Sequence, residues 1–144
     1  DAQESRGLGD VYKRQVNDTY GHDKGDMVLR TLSRVISQYT DDTIHAGRYG
    51  GEEFLILFSG YTRKQAGKIL EGMLTNFRNQ EYDFLPEDVI ITFSAGFTYL
   101  DNKNIDVEGF IKCADEALYY SKEHGRNQIT YYNDLRLRDM QVNR

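Results

Sequence analysis

Three groups of residues combine types and spacings that can do chemistry. Gly50-Gly51-Glu52-Glu53-Phe54 sets two adjacent carboxylates beside two residues without side chains. Carboxylate oxygens are hard ligands that suit Mg²⁺, and a backbone free of β-carbons lets a bulky phosphate come close. A solvated acidic turn would use the same residues, because Gly-Gly corners are common in hairpins. The stretch Asn17-Asp18-Thr19-Tyr20-Gly21-His22-Asp23-Lys24-Gly25-Asp26 is denser in polar groups. Asn17 both donates and accepts, and Asp26 accepts on two oxygens, so together they match the edge of a guanine base. Helix capping is the competing reading, with Asp23 as N-cap and Asp26 in the first turn. Lys122 and Arg126 bracket Gly125. They either complement a helix C-terminus or hold phosphate, Arg126 through its fork and Lys122 as a point charge. His45 and His124 have no partner at metal-ligand spacing and read as surface residues.

Regular elements must hold these groups, and the periodicities supply them. Between Met27 and Tyr39, the residues Val28, Leu32, Val35, Ile36 and Tyr39 share one face, which predicts an amphipathic helix. A short strand around Thr43–Tyr49 and an apolar one at Phe54–Phe58, joined through the two glycines, predict an antiparallel hairpin with the acidic pair at its tip. Thr62 and Gln65 form a capping-box pair that opens a second helix through Ala66, Ile69, Leu70, Met73, Leu74 and Phe77. Val89–Tyr99 alternates Ile91, Phe93, Ala95, Phe97 and Tyr99 and reads as a strand. A third helix is expected from near Asp106 to Gly125, burying Val107, Phe110, Ile111, Ala114 and Leu118. Gln128–Tyr132 can close the sheet, and the polar tail from Asn133 is expected to be poorly ordered. One strand ahead of the first helix would complete βαββαβ, a ferredoxin-like α+β core with an extra helix and strand. Only Gly7–Gln15 stands in that place, and it is short, charged and carries two glycines.

Composition narrows the function classes. The 144 residues suit one domain, with 39% hydrophobic and 28% charged residues. A net charge of −5 and the lack of a Lys/Arg-rich block argue against a broad nucleic-acid surface. No apolar run approaches the roughly 18 residues of a membrane span, so no membrane contact is expected of this domain. No signal-peptide core precedes the first helix. The lone Cys113 cannot form an intramolecular disulfide, which fits the cytosol.

Four segments, taken together and in order, resemble a GGDEF domain, the diguanylate cyclase family. They are the Gly-Gly-Glu-Glu-Phe hairpin, Asn-Asp-Thr-Tyr-Gly-His-x-x-Gly-Asp, Thr-Phe-Ser-Ala-Gly, and Ala-Asp-Glu-Ala-Leu-Tyr followed by Lys-x-x-Gly-Arg-Asn, spanning about Val16 to Tyr132. The resemblance implies a nucleotide-cyclase or palm-like fold, and an enzyme that condenses two GTP into cyclic di-GMP and pyrophosphate. It implies Mg²⁺ or Mn²⁺ as cofactor, a homodimer for catalysis, and a cytoplasmic output domain of a membrane or soluble sensor protein. By similarity, Asn17 and Asp26 would bind guanine with His22 close by, and Lys122 and Arg126 would hold the terminal phosphates. Glu52 would ligate the metal and act as general base, and Glu53 would support the metal site. Gly50 and Gly51 would pass under the α- and β-phosphates, and Arg48 would steady the loop.

Two departures stand out. Many members carry an Arg-x-x-Asp product-binding pair whose positions here hold Asp41 and Ile44. Members also carry a strand ending Asp-x-Asp-x-Phe-Lys, whose first Asp is a metal ligand; the two aspartates fall here on Gly9 and Val11, with Asp10 one residue out of register. Asp10-Val11-Tyr12-Lys13-Arg14-Gln15 also reads as a frame of GAT GTG TAT AAG AGA CAG, which resembles a transposase end used in preparing sequencing libraries. Residues 1–15 are therefore expected to be a non-native segment, 16–132 a partial GGDEF domain and 133–144 a tail; a divergent natural N-terminus is the alternative. The expected function is a diguanylate cyclase, with this chain inactive as it stands. A catalytically silent GTP-binding sensor or regulatory module is the alternative. A class III nucleotide cyclase or polymerase palm would share the core without needing the Asn17/Asp26 pair.

Overall fold

The computed structural model describes residues 18–50, 52–100 and 106–135, and the backbone of residues 2–4. Its elements are β1 (Ala2–Glu4), α1 (His22–Ser37), β2 (Ile44–Gly50), β3 (Glu53–Phe58), α2 (Arg63–Arg78), β4 (Ala95–Phe97), α3 (Val107–Glu123) and β5 (Ile129–Tyr131). The sheet order is β2-β3-β1-β4-β5. β1 runs antiparallel to both β3 and β4, β2 antiparallel to β3, and β5 parallel to β4. This is the ferredoxin-like arrangement with one strand added at an edge.

Side-chain alternation assigns the helices to faces. Phe54, Ile56, Ala95 and Phe97 pack with Val28, Leu32, Leu70, Met73 and Phe77, so α1 and α2 share one face. Gly96 must then point to the other. A Cβ there would lie 2.1 Å from the Ala114 carbonyl oxygen and 2.2 Å from the Leu118 nitrogen, so α3 sits directly on β4. Ser121 Oγ donates to the Ala95 carbonyl at 2.9 Å and meets Thr130 Oγ1 at 2.6 Å, which locks the end of α3 to both neighbouring strands.

The capping box of α2 is present: Thr62 Oγ1 accepts from Gln65 N at 3.1 Å, and Thr62 N donates to Gln65 Oε1 at 3.0 Å. Asp106 caps α3 by accepting from Gly109 N at 2.7 Å. α1 starts differently from the capping expectation. Its N-cap is Gly21, without a side-chain cap, so Asp23 lies in the first turn and Asp26 beyond it.

Further differences have physical causes. The central slot is filled by Ala2–Glu4, upstream of Gly7–Gln15, a stretch that lies outside the described residues. Backbone groups on β3 and β4 need partners, and an extended segment supplies them whatever its side chains. The predicted strand at Val89–Tyr99 is a strand over Ala95–Phe97, the three residues that pair with β1 and β5 among the described residues. Ile91 to Ser94 stay buried without a ladder of their own among the described residues. Val107, at the outer start of α3, is 73% exposed rather than buried. Residues 132–135 form a helical turn, where Arg63 Nη2 donates to Asp134 Oδ1 at 2.6 Å; the rest of the tail lies outside the described residues.

Candidate functional site

Strand register gathers the predicted groups at one end of the sheet. Gly50 pairs with Glu53 at the hairpin tip, and the end of β1 (Glu4) and the start of β4 (Ala95) and β5 (Ile129) lie at that same end. Glu52 and Glu53 thus open β3 where Arg126 leads into β5. Two strands lie between β3 and β5, so the two groups are about 14 Å apart at strand spacing, a gap that long side chains and a polyphosphate can bridge.

At the tip, Arg48 pairs with Phe54 and Gly50 with Glu53, leaving Tyr49 as the extra residue of a β-bulge. Gly50 has φ 145°, with no described residue within 4 Å of where a Cβ would stand. Conformation rather than crowding therefore asks for glycine, and the space beside it is open. Glu53 is buried and Glu52 half-buried, while the exposed Arg48 lies over the Phe54 ring at 5.6 Å. Gly51 lies outside the described residues.

The start of α1 comes to the same end by an indirect route. α2 runs back from the far end of β3 to Arg78, whose Nη1 donates to Asn127 Oδ1 at 3.2 Å. The loop that follows carries Phe84, which meets the Tyr20 ring at 5.2 Å and the Lys24 ammonium at 5.5 Å. Tyr82 extends the cluster at 5.6 Å, and burial pushes its hydroxyl up to about 12. His22 and Asp26, four residues apart on this pinned helix, are both exposed on one face. Asn17 lies outside the described residues. Phe84 was not singled out from sequence; its signal is the i, i+2 pairing of Tyr82 and Phe84 in the stretch between α2 and β4.

α3 ends in a left-handed turn: Gly125, Arg126 and Asn127 have φ 109°, 61° and 47°. Two of the three are not glycine, which costs on the order of 1 kcal/mol each. Arg126 N donating to Ser121 O at 2.9 Å holds the turn, as does Gln128 Nε2 donating to the carbonyls of His124 at 2.6 Å and Arg126 at 3.2 Å. Lys122 is half-buried in the last turn of α3, where a cation also suits the helix terminus.

At the expected product-binding positions, one residue is held by its own loop and the other is buried. Asp41 Oδ1 accepts from Thr43 N at 2.7 Å, Thr43 Oγ1 at 2.6 Å and Ile44 N at 3.0 Å. The Thr43 hydroxyl above all holds the Asp41 carboxyl below its usual range. Ile44 is buried in the core.

Oxygen donors at the hairpin tip fit a hard divalent cation. Mg²⁺ is commonly held by one or two carboxylates together with substrate phosphates. Glu52 and Glu53 suit that shared mode rather than an all-protein cage, since no three His, Cys, Asp or Glu cluster among the described residues. No helix among those residues is long and apolar enough to cross a membrane.

Known proteins share this architecture. The sequence profile of the family described as diguanylate cyclase, GGDEF domain, matches residues 10–128. The chain is 32% identical over 120 residues to diguanylate cyclase A of Treponema denticola, covering 81% of this chain and 32% of that protein. A diguanylate cyclase of Vibrio cholerae is 33% identical over 117 residues, with 81% and 36% covered. An uncharacterised membrane protein of Staphylococcus haemolyticus is 30% identical over 126 residues, with 86% and 35% covered. The chain thus spans about a third of the length of these relatives. Among solved structures, the GGDEF domain of DgcB from Caulobacter crescentus, in complex with c-di-GMP, superposes with TM-score 0.79 at 28% identity, covering 92% of this chain and 76% of that one. The active GGEEF domain of a diguanylate cyclase from Vibrio cholerae gives 0.76 at 30%, with 91% and 80% covered.

Proposed function

The chain belongs to the GGDEF family, and we propose that it is a diguanylate cyclase domain that condenses two GTP into cyclic di-GMP and pyrophosphate. The observation that carries this reading is the convergence at one sheet end of the Glu52/Glu53 hairpin tip, the start of α1 and the Arg126 turn.

Each residue then has a task set by its chemistry. Asn17 and Asp26 pair with the guanine edge, and a site built to satisfy polar groups discriminates strongly against a base that leaves them unpaired. His22, on the face of Asp26, borders the base. Gly50 and Gly51 admit the α- and β-phosphates close to the backbone. Lys122 and Arg126 hold the terminal phosphates, with Arg48 steadying the hairpin. Glu52 accepts the proton of the attacking 3′-hydroxyl, and Glu53 fixes the charge beside it. Mg²⁺ or Mn²⁺, held by Glu52 and Glu53, would neutralise phosphate charge and acidify that hydroxyl. One domain holds one GTP, so two copies must face each other about a two-fold axis for both linkages to form.

Incubation with GTP and Mg²⁺ tests the reading on protein carrying the Asp-x-Asp-x-Phe-Lys strand ahead of Gln15. Cyclic di-GMP and pyrophosphate are expected, and Glu52→Ala should abolish both. A folded dimer that binds GTP and yields no dinucleotide would instead support the silent GTP-binding module.

A further inference from the structure

Thr92 and Arg126, on neighbouring segments at the functional end of the sheet, each carry a buried polar atom left unpaired among the described residues. Thr92 is 3% exposed, and its Oγ1, the Arg126 Nη1 and the Tyr82 hydroxyl in the aromatic cluster are buried without a hydrogen-bond partner among the described residues. Native structures rarely leave such atoms orphaned, so each calls for an account. Their positions correspond. β4 and β5 pair in parallel from Ala95↔Ile129, and Ala95 N donates to Gln128 O at 2.9 Å just upstream. Thr92 and Arg126 precede those two strands by the same number of residues, on neighbouring segments.

They also share a face. Ile91 and Phe93 point into the core under α1 and α2, so Thr92 points to the α3 side. Arg126 leaves the end of α3 itself, bonded through its backbone to Ser121. A hydroxyl oxygen accepts and a guanidinium only donates, so the two orphans are complementary.

We propose that Thr92 is a positioning residue for Arg126. Its hydroxyl accepts from Nη1 through one buried water and fixes the guanidinium with Nε and Nη2 turned toward the nucleotide. A buried Nη1 cannot meet a ligand arriving from solvent, so it serves as the fixed end of the fork. An Arg held this way loses less freedom when phosphate binds. The ligand in this account rests on the GTP reading; the anchor does not.

Two variants of the full chain separate these roles. Thr92→Val keeps the shape and removes the hydroxyl, while Thr92→Ser keeps the hydroxyl. Nitrogen-15 NMR of the Arg126 side chain should show restricted rotation about Cζ–Nη1 in the unmodified chain and in Thr92→Ser, and free rotation in Thr92→Val. Calorimetry should show Thr92→Val weakening GTP about 5- to 10-fold, the value of one hydrogen bond. Guanosine binding should not change, and Thr92→Val should add nothing in an Arg126→Ala background. Restricted rotation that survives Thr92→Val, or an undiminished loss in the Arg126→Ala background, would overturn the proposal. Rotation freed by Thr92→Val, with no GTP bound by any version, would uphold the anchor and remove the GTP reading.

Discussion

The Asp41 carboxylate is held by donors from its own loop. Three donors from Thr43 and Ile44 occupy one carboxylate oxygen, and a carboxylate at that surface repels phosphate in any case. Feedback binding of cyclic di-GMP there should be weak, and calorimetry should find no tight site that disappears on changing Asp41 or Ile44. Asp26 should matter in the opposite sense. Asp26→Ala should lower the preference for GTP over ATP by tenfold or more, the usual order for losing a paired polar group; equal use of both nucleotides by the unmodified protein would remove the guanine-reading role. Charge and glycine placement make Glu52, Glu53, Lys122 and Arg126 candidates in the sequence. Thr92 and Phe84 are not, since a threonine on an alternating strand reads as filler and an aromatic in a loop has no period. What marks Thr92 is an orphaned hydroxyl, which exists only after folding, and what fixes the role of Phe84 is a ring contact with a residue far away in sequence.

At the level of elements, legibility followed the strength of local chemistry. The capping pair Thr62/Gln65 and the Asp106 cap could be read because each is satisfied within one turn. The extent of β4 could not, because strand length depends on partners far away in sequence. Its contact with α3 is the tightest element-to-element approach described. Gly96→Ala would force a Cβ within 2.2 Å of the helix backbone, where no side chain can yield. We expect a loss of about 3 kcal/mol or more, at or beyond the upper end for overpacked sites, read as a lowered denaturation midpoint at unchanged slope. A wild-type midpoint for this variant would mean that α3 does not sit on β4.

For the whole molecule, two expectations follow. Burial above all pushes the hydroxyls of Tyr82 and Tyr131 up to about 12 from an ordinary 10. The folded state therefore holds these protons more tightly than the unfolded chain. That contribution is complete below pH 10 and is lost as pH rises toward 12. Denaturation curves should show stability falling across that window, and Tyr82→Phe should flatten the fall. The second expectation concerns the central strand. The hairpin supplies Glu52 and Glu53, but Gly9 and Val11 hold the places of the family's aspartates without side-chain oxygens. The chain as it stands should therefore turn over GTP far more slowly than one with residues 1–15 replaced by an apolar strand ending Asp-x-Asp-x-Phe-Lys. Equal turnover would refute both the non-native reading of that segment and the placement of the missing ligand. The same strand sets a timetable for assembly. Gln3 must find both Leu55 and Gly96, so during synthesis β1 emerges first and waits longest. Closing loops of that length loses entropy well before ladder bonds offset it. Until β4 has left the ribosome, β1 lacks its partner on one side, and that inner edge stays open besides the outer edge of β2. Folding should therefore be slow, and the nascent chain most prone to mispairing in that interval.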